Sequence, residues 1–160
     1  MSDHVTLEPL DEQLLTELLH AAVADAAPVE VMPVAGSGTS WNAQREAGFR
    51  EFHRGRALAT PPIESTYCIV ADGAVVGAAR LCPIAPGAAE AGVWIGRSHR
   101  GTGIGTAVFA LLIERAADEG YTSLFVSTTA ENTAVLRMLA ARGIEYVVDG
   151  DKVTAWVGCV

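Results

Sequence analysis

Lysine is almost missing from this chain: of 160 residues only Lys152 is a lysine, and eleven basic side chains face nineteen acidic ones, for a formal charge of −8. A shortage of clustered cations excludes wrapping around nucleic acid, whose phosphates demand them. The acidity serves solubility and is compatible with a basic or amine partner. No apolar run reaches the roughly 20 residues that would cross a membrane, and no positively charged, apolar leader opens the sequence, so neither membrane insertion nor secretion is expected. Cysteine is scarce and odd in number. Cys68, Cys82 and Cys159 have no metal-ligand spacing, which reads as reduced thiols in a cytoplasmic protein without a metal site. There is no internal repeat and no low-complexity segment, and the length suits one domain over residues 1–160.

What is present is apolar and regularly spaced. Residues 5 to 7 suit a short strand. Leu14, Leu15, Leu18, Leu19, Ala22 and Val23 form one stripe of a helix capped by Asp11 and closed by Pro28. Residues 28 to 40, with two prolines and Gly36-Ser37-Gly38, read as a loop. Ser40 can cap a second helix, Trp41 to about Leu58. There the charge pattern changes: residues 1 to 44 hold seven acidic side chains and no arginine, whereas residues 45 to 56 carry Arg45, Arg50, Arg54 and Arg56. After Pro61-Pro62, strands Tyr67–Ala71 and Ala74–Leu81 meet at the hairpin signal Asp72-Gly73. Residues 83 to 89 read as a loop. A strand from near Glu90 leads to a helix ended by Gly120, then to a strand at Leu124–Thr128. Thr128-x-x-Glu131 is a capping-box arrangement for the next helix, which Gly143 ends. Ile144–Val148 and Lys152–Val157 form a last hairpin around Asp149-Gly150-Asp151. The order β, α, α, β, β, β, α, β, α, β, β suits a mixed α/β fold with helices on both faces of one sheet.

The stretch Glu90 to Thr106 organises the rest. Val93 and Ile95 alternate in a short strand, Gly101, Gly103 and Gly105 stand at alternate positions, and Ile104, Val108, Leu111 and Leu112 begin a helix. Glycines let an anion approach the backbone where a Cβ would block it. The helix start aims its unpaired N–H groups and positive dipole end at the same turn, and Arg100 adds a full cation. The result is a pyrophosphate cradle. A P-loop would need a lysine after the glycines, and none follows. The dinucleotide fingerprint fails because Thr106 sits where its third glycine belongs, and because the turn comes halfway along the chain.

Arg100-x-x-Gly103-x-Gly105 resembles instead the acyl-CoA motif of the GNAT N-acetyltransferases, Arg/Gln-x-x-Gly-x-Gly/Ala. Upstream, Glu90-Ala91-Gly92-Val93-Trp94-Ile95 is similar to that family's Glu-Ile-Gly-Tyr-Trp-Val strand. Downstream, Asn132-x-x-Val135-x-x-Met138-Leu139-x-x-x-Gly143-Ile144 is similar to its Asn-x-x-Ala-x-x-Leu-Tyr-x-x-x-Gly-Phe. The resemblance covers about residues 65 to 148. It implies a mostly antiparallel, splayed sheet of six to seven strands flanked by about four helices. It also implies acetyl-CoA as co-substrate, and pairing of two chains through the C-terminal strands, where Trp156 lies. The sheet would open between Val93–Ile95 and Leu124–Ser127 to take the pantetheine arm. Val93, Trp94, Ile95, Arg100, Gly101, Thr102, Gly103, Ile104, Gly105, Thr106 and Asn132 would contact the coenzyme. The reading left to Asn132 by its own position is a helix cap.

Acetyl transfer to an amine needs the amine to lose its proton, since an alkyl amine titrates near lysine's ~10.4. It also needs a donor for the oxyanion and a thiolate that can leave. Resemblance implies that Glu90 is the base; otherwise it pairs with an arginine or faces water. Leu139 stands where many members carry the tyrosine that protonates the thiolate, so Tyr146, Ser127 and Thr128 are the stand-ins, or no acid is needed. That departure keeps a second reading open, an acyl-CoA-binding sensor without turnover. The segment between the first two strands commonly covers the acceptor in this family, which implies that Trp41, Phe49 and His53 touch the amine substrate, a small molecule or peptide. Ordinary amphipathic packing would place the same residues inside.

Overall fold

The computed structural model describes residues 4–36 and 38–159; Ser37, inside the expected loop, lies outside them. In chain order the elements are β1 (Val5–Pro9), α1 (Glu12–Asp25), α2 (Pro28–Val31), α3 (Ala43–Arg56), β2 (Ser65–Ala71), β3 (Ala74–Ala85) and β4 (Ala88–Ile95). A 3-10 turn at Arg97–His99 follows, then α4 (Ile104–Asp118), β5 (Ser123–Thr129), α5 (Thr133–Ala141), β6 (Tyr146–Asp149) and β7 (Lys152–Gly158). The strands form one seven-stranded sheet in the order β1-β2-β3-β4-β5-β7-β6. Every neighbouring pair is antiparallel except β4 and β5, which are parallel and joined by the crossover helix α4.

Alternation along the strands sends side chains to two cores. On one face Leu81, Ala89, Leu124, Val126, Ala155 and Val157 pack with Val108 and Leu112 of α4 and Leu139 of α5. On the other, Cys68 and Ala78 pack with Leu15, Leu18 and Leu19 of α1 and Phe49 of α3. The mixed, mostly antiparallel sheet thus has the expected architecture.

Among the described residues five helices form rather than about four, because the expected 28–40 loop holds α2. Pro28 fits the first helical position, and the Glu30 carboxylate accepts the Ala27 N–H at 2.6 Å. The second helix starts at Ala43, capped by Asn42, whose Oδ1 accepts the Arg45 N–H at 2.8 Å, rather than at Trp41 with a Ser40 cap. Residues 83–89 are no loop: β3 runs on to Ala85 and turns tightly into β4 through Gly87 at φ 76°. Asn132, and no Thr128–Glu131 box, caps α5, because β5 continues to Thr129 and keeps Thr128 extended.

Candidate active site

β4 and β5 stay paired over Ala88–Ala91 and Ser123–Val126. Beyond those residues no ladder joins them, although β4 continues to Ile95 and β5 to Thr129. The expected opening therefore exists but begins only past Val126. Val93, on the β4 wall, is 46% exposed, while Ile95 and Trp94 pack against the two opposite cores.

The wedge leads to the glycine turn. Gly101 and Gly103 adopt left-handed conformations, φ 74° and 89°, and a Cβ on either would meet nothing within 4 Å. Gly103 caps α4 without a side chain, and the first helix N–H to find an acceptor is that of Ala107, on the Gly103 carbonyl at 3.3 Å. None of the N–H groups of residues 101–106 donates to a described residue. Thr102 uses its hydroxyl to close the turn on the His99 carbonyl at 2.8 Å.

The turn is held from the α1–α2 corner. Asp25 accepts the Ser98 hydroxyl at 2.6 Å and its N–H at 3.1 Å, and the hydroxyl bond leads in holding the Asp25 carboxyl below its ordinary range. Glu30 faces Arg97 at 3.3 Å and Arg100 at 3.4 Å. Arg100 donates Nε to the Ile95 carbonyl at 2.8 Å, so it lies back along β4 instead of standing free at the mouth. A hollow of about 240 Å³ beside Asp25 and Ser98 offers no free carboxylate, because Ser98 occupies it.

Glu90, Gly92 and Trp94 point to the α1–α3 face. Glu90 forms no hydrogen bond or ion pair with any described residue, so of its alternative readings the arginine pair is not seen, while a role as base and a side chain that only faces water both remain open. It lines a cavity of about 190 Å³ with Arg56, Glu64, Arg80 and Cys82. Glu64 is buried and accepts Arg56 Nε at 2.9 Å and Arg80 Nη1 at 3.3 Å. Both guanidinium carbons lie over the Phe52 ring, 5.4 and 5.2 Å from its centre.

The three residues expected at the acceptor separate. Trp41 precedes α3 and donates Nε1 to the Ala26 carbonyl at 2.8 Å. Phe49 and His53 are fully buried, His53 between the Phe49 and Phe52 rings. Packing, the other reading of that stripe, accounts for both. Neither His53 nitrogen has a hydrogen-bond partner among the described residues, and burial first, then the charges of Arg80 and Arg56, lower its pKa to about 4.

Asn132 Oδ1 accepts the Val135 N–H at 3.3 Å, so its oxygen caps α5 and its amide nitrogen is left to donate. Leu139 is buried in the core. Ser127 is exposed past the split, and Tyr146 lies on the edge strand β6. Glu64 and Arg80 carry little local signal: Glu64 follows a proline pair, and Arg80 is a lone charge in an apolar strand. Their meeting depends on the β2–β3 pairing and on α3 descending over it. Among the described residues no three His, Cys, Asp or Glu side chains form a metal-ligand group, and no helix is long and apolar enough to cross a membrane.

The acetyltransferase (GNAT) family model matches residues 32–144. No curated protein matches the sequence. Among solved structures, an N-acetyltransferase from Staphylococcus aureus is 15% identical, with 98% of this chain and 99% of that one covered and a TM-score of 0.67. RimJ of Mycobacterium smegmatis, in complex with CoA-disulfide, is 19% identical over 96% of this chain and 81% of its own, with a TM-score of 0.75. The N-acetyltransferase PseH of Campylobacter jejuni, in complex with acetyl coenzyme A, is 12% identical over 97% and 99%, with a TM-score of 0.70. At these identities the likeness is one of fold.

Proposed function

Because the chain belongs to the acetyltransferase (GNAT) family, we propose that it is an acetyl-CoA-dependent N-acetyltransferase acting by direct attack of a primary amine. The amine belongs to a small molecule, a peptide N-terminus or a lysine. The observation that carries this reading is the row of N–H groups at residues 101–106, unclaimed by any described residue, beneath open space at Gly101 and Gly103 and at the end of the wedge between β4 and β5. Bare amides at a helix start suit a diphosphate, and an unpaired strand wall suits the amides of an extended arm.

Acetyl-CoA, when bound, supplies the acetyl group already activated as a thioester. The amides of residues 101–106 bind the diphosphate, the β4 backbone at Val93 and Ile95 holds the pantetheine arm, and the Asn132 amide nitrogen donates to it from the far wall. Glu90, without a partner among the described residues, takes the proton that the amine sheds, directly or through a water. Backbone N–H groups near Ile95 serve the oxyanion. Leu139 has no proton to give. A thiol pKa of about 8.5 makes the thiolate an acceptable leaving group without an acid.

Leu139 also favours a second reading, an acyl-CoA-binding module that does not turn over. Thiol release from acetyl-CoA with amino acids, polyamines, aminoglycosides and short peptides separates the two. Release with any of them supports the enzyme; tight CoA binding with no release across the panel supports the module. The odd number of cysteines, without metal-ligand spacing, and the choice of acetyl-CoA as co-substrate support a cytoplasmic setting for the proposed activity. A second copy of the chain is the proposed partner at the C-terminal strands, where Val147, Val148 and Trp156 are exposed. A monomer mass in sedimentation would remove it.

A further inference from the structure

The cavity beside Glu90 contains more positive charge than an amine pocket calls for. A buried carboxylate needs a partner, and one arginine would neutralise Glu64; here two converge on it, Arg56 at 2.9 Å and Arg80 at 3.3 Å. Each guanidinium has five N–H donors. Arg56 commits Nε to Glu64 and a long contact to Cys82 Sγ at 3.8 Å, and Arg80 commits Nη1. The remaining donors have no partner among the described residues, and both side chains are about one-third exposed, at 35% and 33%. Glu64 from below and the Phe52 ring alongside fix both heads before any ligand arrives. Such a preset pair is built to receive an anion.

Its position is equally specific. A Cβ on Gly92 would stand 3.5 Å from Arg80 Nε and 3.6 Å from Nη2, so the guanidinium lies flat across β4 where a side chain would otherwise project. Gly92 is the first residue of β4 beyond the paired stretch. Arg80 therefore sits where the sheet begins to open. In the β3–β4 register Arg80 faces Gly92 and Cys82 faces Glu90, so Arg80 and Glu90 are diagonal neighbours on one face, about 7–8 Å apart at the backbone. His53 has its protonation opposed by burial first and then by the charges of Arg80 and Arg56.

We propose that the acceptor is an amine bearing a carboxylate, of the size of an amino acid, with Arg80 and Arg56 receiving the carboxylate and Glu90 the amine. This rests on the reading of the chain as an N-acetyltransferase and narrows its acceptor class. A polyamine, which brings further cations to two fixed guanidiniums, is disfavoured by the same charges.

Matched acceptor pairs test it: α-amino acids against their carboxamides and decarboxylated amines, compared in kcat/KM at equal concentrations of free amine. The carboxylate-bearing member is expected to be favoured by at least about tenfold, the weight of one charge-assisted contact. Arg80→Gln should shrink the ratio to about twofold or less through a higher acceptor KM, and Arg80→Lys should keep part of it. Equal use of both members, a preference for diamines or polyamines, or an unchanged ratio in an Arg80→Gln protein that melts like the parent would overturn the inference while leaving an acetyltransferase. Should Arg80→Gln fail to fold, the selectivity of the parent protein decides alone. Acetyl-CoA bound with no amine acetylated overturns the enzymatic reading first, and this inference with it.

Discussion

Arg100 donates its Nε to the Ile95 carbonyl at 2.8 Å, tying the start of the glycine turn to the last residue of β4. What the position requires is a donor that reaches a strand-end carbonyl, and a glutamine amide supplies one without charge. Arg100→Gln should weaken CoA binding by no more than about threefold, whereas Arg100→Leu, which leaves the carbonyl without its donor and frees the turn, should weaken it about tenfold or more. Calorimetric titration of both variants decides. An equal, large loss in the two would return Arg100 to the role of phosphate cation.

Gly103 stands at φ 89° with open space where a Cβ would go. In Gly103→Asp, a side chain that tolerates the left-handed region better than most would carry a negative charge into the row of bare amides. CoA affinity should fall about thirtyfold or more, equivalent to about 2 kcal/mol, while the fold survives with a modestly lower melting temperature, set by the left-handed backbone at this position and not by a clash. Binding at parental strength would place the diphosphate somewhere else.

Glu90→Gln keeps the shape of the side chain and removes the base. Turnover at neutral pH should drop by about a hundredfold to ten-thousandfold, the range of general base catalysis, with acetyl-CoA affinity held. The variant should recover part of its rate in alkaline buffer, where the amine sheds its own proton. A flat deficit at all pH values, or none, would take Glu90 out of proton transfer.

The glycine turn, the strand before it and the crossover helix were legible in sequence because they are local: the spacing of Gly101, Gly103 and Gly105 fixes backbone shape within a few residues. The succession of strands along the chain followed from turn signals such as Asp72-Gly73, whereas the sheet order that sets β7 between β5 and β6 is a tertiary fact. Boundaries failed where two caps competed. Ser40 and Asn42 both suit a helix start, and the Trp41 bond to Ala26 leaves the helix to begin after it. Asn132 and the Thr128–Glu131 pair compete likewise, and the ladder of β5 with β7 decides for Asn132 by holding Thr128 in the sheet. The Glu64–Arg56–Arg80 cluster was illegible for another reason: its members come from the end of α3, the residue just before β2 and the middle of β3, and only tertiary pairing joins them.

His53 makes stability depend on pH. Unfolded, the imidazole titrates near 6.5; folded, at about 4, because burial and the neighbouring arginines oppose its charge. Between those values the unfolded chain binds a proton that the native chain does not, so this residue favours unfolding increasingly as pH falls through the window and has little effect above it. From pH 7 to pH 5 its share of the loss is about 2 kcal/mol. His53→Leu removes two buried nitrogens that have no partner among the described residues, so at pH 7 the substitution should be near neutral. At pH 5 the variant should be more stable than the parent by about the same 2 kcal/mol. Urea midpoints of both proteins at the two pH values measure this. Parallel losses in parent and variant would mean that His53 takes up its proton within the fold, and that its pocket opens to water.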